Sequence, residues 1–310
     1  MKLSPRKGPP EGLEAESQAR CLCYRVTSPG RTVVRRLAHN PSAVAGCMLI
    51  LSLMLFALIG PSLTPHAYDD QDYDHMREPP SRRFWFGTDE VGRDLFVLMA
   101  MGARVSLEVG LFASLISLVI GVGYGAISGW FGGRTDQLMM RIVDTLYGIP
   151  LVLIVINLMV ILGSGLQNVF LALGFVYWLD MARIVRGQVL RLRTYIYVEA
   201  ARVVGAGWAR VLLRHILPNT LGPIIVTLTL TVPNAIFTES FLSYIGLGVS
   251  APNESWGTLA SAGSRLEFLR SSPYLALFPA AAISLAMLAF NFVGDGLRDA
   301  LDPRHVERQR

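Results

Sequence analysis

Lysine is nearly missing from this chain: of 28 basic residues in 310, only Lys2 and Lys7 are lysine. That bias points to a GC-rich coding sequence and not to a mechanism. Cysteine is scarce as well. Cys21 and Cys23 form a C-x-C in a polar tail without a second ligand pair, and Cys47 stands apart, so neither zinc nor a structural disulfide is indicated. Charged residues make up 16%, against about 25% in soluble domains, while 52% of residues are hydrophobic. With a mean hydropathy of +0.43 this composition excludes a soluble domain. The +5 net charge does not call for nucleic acid, because its distribution accounts for it. No G-x-x-x-x-G-K-[ST] occurs, so energy from ATP would have to come from another chain. There is no H-E-x-x-H and no Ser/His/Asp set, and His39, His66, His75, His215 and His305 are scattered over tail and loops, which disfavours an enzyme.

What is present is a series of long apolar runs, which predict an all-α integral membrane protein with six spans. Residues 1–30 carry Pro5, Pro9, Pro10, Glu11, Glu14 and Glu16 and lack an apolar h-region and a cleavage site, so they read as a disordered tail and not as a signal peptide. Arg31, Arg35 and Arg36 opposite Val33, Val34 and Leu37 predict an amphipathic surface helix over 31–42. Span one is 43–63, uncharged and ended by Pro61 and Pro65. A polar segment, 64–104, follows with eight acids against five arginines. Its Asp69–Asp74 cluster lacks the glycine and the terminal glutamate of an EF-hand loop, which argues against calcium. Further spans are expected at 109–131, 138–162, 167–189, 221–245 and 273–292, with Trp256 in the loop before the last as an interfacial anchor. Pro150 is expected to be tolerated inside the third span.

Charges near or inside the spans are functional candidates by default. Arg141 and Asp144, and likewise Asp180 and Arg183, stand three apart on one helical face, and local ion pairs are the economical expectation. Glu239 has no basic residue within four positions, so it must meet water, a structural hydrogen bond, a partner or substrate; it is the candidate for the substrate pathway. Of the 28 basic residues, 21 fall in the tail, the 131–141 turn, the 183–214 loop and the C-terminus, and 7 in the opposite segments. The positive-inside rule then places both termini in the cytoplasm and 64–104 outside.

The 183–214 loop holds the stretch around which the chain is organised. Glu199-Ala200-Ala201 is followed by Gly205 and, after ten intervening residues, by Ile216-Leu217-Pro218. Small alanines would admit a close partner backbone, Gly205 and Gly207 would permit a bend, and Trp208–Leu217 would form a second short helix closed by Pro218. On physical grounds alone this could equally be an ordinary basic loop between two spans. The spacing, however, resembles the E-A-A loop of bacterial ABC importer permeases. Three further stretches are similar to the C-type permease of dipeptide and oligopeptide (peptide/nickel) importers, closest to the oligopeptide branch: Phe86-Gly87-Thr88-Asp89-Glu90-Val91-Gly92-Arg93-Asp94, Trp178-Leu179-Asp180-Met181-Ala182-Arg183, and Gly294-Asp295-Gly296-Leu297-Arg298-Asp299 running on to Asp302-Pro303-Arg304. His215 replaces the aliphatic residue of the wider superfamily, as in the peptide and nickel branch.

The resemblance implies the type I importer permease fold, with a coupling helix in which Glu199, Ala200, Ala201 and Gly205 meet an ATPase subunit and Arg202 and Arg210 supply rim ion pairs. It further implies a second homologous permease subunit, two ATPase subunits or one fused pair, an extracytoplasmic substrate-binding protein, and residence in the bacterial inner membrane. No cofactor belongs to this chain, since ATP and Mg would be bound by the ATPase partners. The rival expectation from another class is an ion-coupled secondary transporter or channel using Glu239, Asp180 and Arg183. Peptide length is left open, as are nickel and opines as alternative solutes.

Overall fold

A computed structural model describes residues 29–163, 165–249 and 253–301. The tail with Cys21 and Cys23, and the closing Asp302-Pro303-Arg304 with His305, lie outside the described residues. The described residues are helical throughout apart from loops and one isolated bridge between Thr88 and Asp94. The surface helix α1, Pro29–His39, ends where Asn40 caps α2, Pro41–Ile59; the Asn40 side chain accepts from Ser42 N at 3.2 Å and Ala43 N at 3.4 Å. The polar segment beyond α2 is stapled by short 3-10 turns and ends sooner than expected. Helix α3, Leu95–Phe131, starts at Leu95, because Asp94 caps it by accepting from Phe96 N at 2.9 Å.

The predicted third span is two helices. α4, Gly133–Tyr147, is amphipathic and carries Asp136, Arg141 and Asp144, whereas α5, Leu151–Leu162, is apolar apart from Asn157; they meet at 89°. Pro150 is therefore not absorbed into a continuous helix. It follows Gly148 and Ile149 at the bend, and a proline supplies no amide hydrogen there for the preceding turn. Among the described residues five helices are long and apolar enough to cross a membrane, or six if the bent pair counts as one span.

Helix α6, Leu166–Leu192, packs along α3 at unusually short range. Gly121, Gly125 and Gly129, at i, i+4 and i+8, form a smooth strip on α3, and a Cβ on Gly129 would lie 2.9 Å from the Arg186 carbonyl oxygen. Small residues at this spacing let backbones approach where apolar lipid offers no competing driving force. Beyond α6 come α7, Ile196–Val203, and α8, Trp208–Val211. A π-helical turn, Leu212–Ile216, then leads into α9, Leu217–Tyr244, without a break. Pro218 thus does not close a short helix as expected. It lies inside a continuous helix, and the wide π turn just before it accommodates the ring and the missing N–H.

The loop before the last long helix also departs from expectation. It holds α10, Trp256–Gly263, and α11, Leu266–Ser271, with α10 packed against α3, α9 and α12, Tyr274–Leu301. Trp256 is fully buried and is not an interfacial anchor: its indole N–H donates to the Met99 carbonyl at 3.1 Å, beside Leu98 and Leu95 in the core.

Candidate coupling surface and buried polar clusters

The stretch 195–218 forms a knob beneath the end of α3. Within α7, Val198 is fully buried and Ala201 packs on the cluster of Val189, Val211, Leu212 and Ile216, so the knob has its own small core. The helix ends in a Schellman motif. Ala206 N–H donates to Ala201 O at 3.0 Å and Gly205 N–H to Arg202 O at 2.9 Å, with Gly205 at φ +89°. Gly205 is there because the closing residue of this motif is left-handed, a conformation that costs a side-chain-bearing residue about 1 kcal/mol or more. A Cβ would meet nothing there, so the need is conformational and not steric.

Two contacts fix the knob to α3. The Arg193 guanidinium donates to the carbonyls of Gly129 at 2.9 Å and Trp130 at 3.2 Å, satisfying the open end of α3, and the Arg202 guanidinium lies 4.4 Å from the Trp130 ring centroid. Arg202 is therefore engaged within the chain, while Arg210 is exposed and forms no ion pair among the described residues. Glu199 and Ala200 are exposed. So are large apolar groups that a finished surface would cover: Ile196 is 85% exposed and Val203 and Val204 are each 88% exposed. Tyr195 and Trp208, at either end of the same segment, are also exposed.

The ion pairs across the helices differ from those expected from spacing. Arg183 donates to Asp144 at 2.6 Å, and Tyr147 hydroxyl donates to Asp180, so neither Arg141–Asp144 nor Asp180–Arg183 is a pair. The reason is that α4 runs back along α6, and the long Arg183 side chain reaches the facing helix more readily than its own neighbour. The strongest of these links was not singled out in the sequence. Arg186 grips Asp136 with Nε at 2.5 Å and Nη2 at 2.6 Å, and the Ser128 hydroxyl donates to the same carboxylate at 2.5 Å, tying α3, α4 and α6 together. The signal available was an acid and an arginine 50 positions apart on two different helices, which spacing cannot connect.

Glu239 is completely enclosed between α9, α3 and α10. Its Oε1 accepts from the Ser243 hydroxyl at 2.6 Å and its Oε2 from Ser240 at 3.4 Å, while Ser255 and Ser106 close the nest, the latter accepting from Trp256 N at 3.2 Å. This is a structural hydrogen-bond site and presents no surface to a passing solute.

On the opposite face the 86–94 motif proves to be a staple. Phe86 stacks on Phe278 at 4.3 Å, and Gly87 and Gly92 adopt φ +83° and +80°. Thr88 donates to His75 O at 2.5 Å, and Asp94 both caps α3 and meets His66 at 2.9 Å. Arg93 joins Asp89 at 2.7 Å and Glu254 at 2.7 Å, linking this segment to the loop before α10. Burial works to lower the Arg93 pKa, but the carboxylates of Glu254 and Asp89 outweigh it and hold the guanidinium above its ordinary value.

Comparison with other proteins gives this arrangement a family. Residues 121–306 match the family described as binding-protein-dependent transport system inner membrane component, and residues 28–80 match the N-terminal TM domain of oligopeptide transport permease C. The chain is 52% identical over 271 residues to the dipeptide transport system permease protein DppC of Bacillus subtilis, covering 87% of this chain and 84% of the relative. It is 49% identical over 269 residues to the oligopeptide permease OppC of the same organism, covering 87% and 88%, and 45% identical over 272 residues to OppC of Escherichia coli K12, covering 87% and 89%. A chain of the MetNI methionine ABC transporter, solved in inward-facing form, shares the fold with a TM-score of 0.55 at 19% identity, over 66% of this chain and 97% of that one. The knob between α6 and α9, the stapled 86–94 segment and these matches agree: the chain belongs to the family of binding-protein-dependent ABC importer inner membrane permeases, in its oligopeptide/dipeptide permease C branch.

Proposed function

We propose that this chain is one of two permease subunits in an ATP-driven importer of dipeptides or oligopeptides, and that the knob 195–211 is where an ATPase subunit docks. The observation that carries the docking assignment is the exposed apolar face of Ile196, Val203 and Val204 beside Glu199, on a helix clamped to the end of α3 by Arg193 and Arg202. An apolar face so exposed is costly in water and suits a protein partner. Glu199, Ala200, Ala201 and Gly205 form the contact, with Arg202 and Arg210 at its rim.

The distribution of arginine supports an orientation with both termini and the knob in the cytoplasm, and with 64–94 and α10–α11 facing the substrate-binding protein. The bacterial inner membrane is the setting this implies. The chain holds no nucleotide itself; ATP and Mg would be bound by the ATPase pair. Closure of that pair pushes on α7, and the clamp passes the displacement to α3 and, through Asp136 and Arg186, to α4 and α6, so that the bundle rocks as a body between inward and outward forms.

The test is uptake by proteoliposomes holding both permeases, the ATPase subunits and a peptide-loaded binding protein. Glu199→Lys and Gly205→Asp should each lower uptake by about ten-fold or more, the equivalent of a lost docking contact of roughly 1.4 kcal/mol, and uncouple it from ATP hydrolysis. Unchanged uptake with unchanged ATPase affinity would defeat the assignment.

A further inference from the structure

Where α4 breaks from α5 the structure holds a polar site that the coupling mechanism does not use. Asp180 stands roughly 20 Å from either end of α6, at about 1.5 Å per residue, and its side chain is exposed. An exposed carboxylate within a membrane-spanning helix is satisfied by water or protein and not by lipid. It lines a cavity of about 200 Å³ whose apolar walls include Ile149, Pro150, Ile154 and Val176.

Three features make this cavity selective for a cation. The Tyr147 hydroxyl donates to Asp180 Oδ1 and orients the carboxylate, while Oδ2 makes no hydrogen bond among the described residues. The carbonyl end of α4, the negative end of its dipole, terminates at the same place. The Arg183 guanidinium is bonded to Asp144 at 2.6 Å and stacked 3.8 Å from the Tyr147 ring centroid, and it makes no salt bridge with Asp180 among the described residues. Asp180 is thus held in place by a phenol and has no salt bridge of its own among the described residues.

We propose that Asp180, presented by Tyr147 at the break between α4 and α5, binds the terminal ammonium group of the peptide as it passes, with the adjacent apolar wall receiving the first side chain. This rests on the peptide-importer reading above. A primary ammonium offers three donors, one of which the free carboxylate oxygen would accept.

The experiment places p-benzoylphenylalanine at Ile149 in the complete complex, supplies radiolabelled trialanine through the binding protein, and reads both photolabel on this chain and ATP hydrolysis. With Asp180 present the chain should be labelled. Asp180→Asn should cut the label about ten-fold, as expected for loss of one charge-assisted hydrogen bond, and Asp180→Glu should restore it. Tyr147→Phe, which keeps the charge but frees the carboxylate, should lower the label about three-fold, and decides the matter if Asp180→Asn does not assemble. Label that is independent of both substitutions, or missing while the vesicles accumulate peptide, overturns the assignment and leaves the importer reading intact. A complex with no ATP-driven uptake at all overturns both.

Discussion

Asp136 is the residue that joins α3, α4 and α6 at the knob end of the bundle. Its carboxylate receives two bonds from Arg186 and one from Ser128, and its side chain is only 10% exposed. Asp136→Ala leaves Arg186 without its partner. Breaking a buried pair costs about 3–5 kcal/mol, but Arg186 keeps 33% of its side-chain surface and can recover water, so about 2 kcal/mol is expected. Unfolding of the purified chain in an SDS titration reads this, and the double variant with Arg186→Ala should cost clearly less than the sum of the singles. Additive losses would mean that the pair contributes nothing. At this scale the sequence was readable only where the partner is local. Glu239 was identified as an acid needing a structural or functional reason, and Gly205 as a bend; the serine nest and the Schellman hydrogen bonds supply those reasons. Arg183 and Asp180 were assigned to each other because a helix sets i,i+3 neighbours side by side, whereas their real partners lie 39 and 33 positions away, on α4.

Helices themselves were easier to read than their joints. Uncharged runs fixed five long helices to within a few residues at most ends, because hydrocarbon thickness and the hydrogen-bonding demand of the backbone leave little else for them to do. The start of α3 was misplaced because Glu108 and Arg104 made its first turns look like loop, although Asp94 is an ordinary cap. The bend at Pro150 was missed for a different reason: hydropathy averages over α4 and α5, and only the change from an amphipathic to an apolar pattern marks the break. The tightest joint, between α3 and α6, depends on the strip Gly121, Gly125 and Gly129. A Cβ at Gly125 would lie 3.0 Å from both the Arg186 amide nitrogen and the Val185 Cβ and nearer still to the Ala182 carbonyl oxygen. Gly125→Val should therefore push the helices apart and cost about 1–3 kcal/mol, seen as an earlier unfolding midpoint, while Gly123→Val, on a face where a Cβ meets nothing, should leave the midpoint unmoved. Equal effects at both positions would remove close packing as the explanation.

At the scale of the whole molecule, one end of the bundle is finished and the other is not. The 64–94 segment is cross-linked by ion pairs to the loops before α10 and α12, through Arg93 to Glu254, Arg265 to Glu90 and Arg77 to Glu267. The knob end, by contrast, exposes Ile196, Val203 and Val204. Arginine counts alone assign that end to the cytoplasm, and the apolar face gives the orientation a consequence that can be measured. With the native cysteines replaced by serine, Val203→Cys should react with a membrane-impermeant maleimide in inside-out vesicles and not in intact spheroplasts, and Arg82→Cys should do the reverse. Adding the ATPase subunits should slow labelling at Val203→Cys by at least about ten-fold, because a docked partner excludes the reagent from a buried contact, and leave a cysteine at Thr194 reactive if the contact is confined to the apolar face. Labelling of Val203→Cys from the outside would invert the topology, and labelling unaffected by the ATPase would move the docking surface off α7 altogether, with Glu199 and Gly205 then reduced to the helix and turn they build.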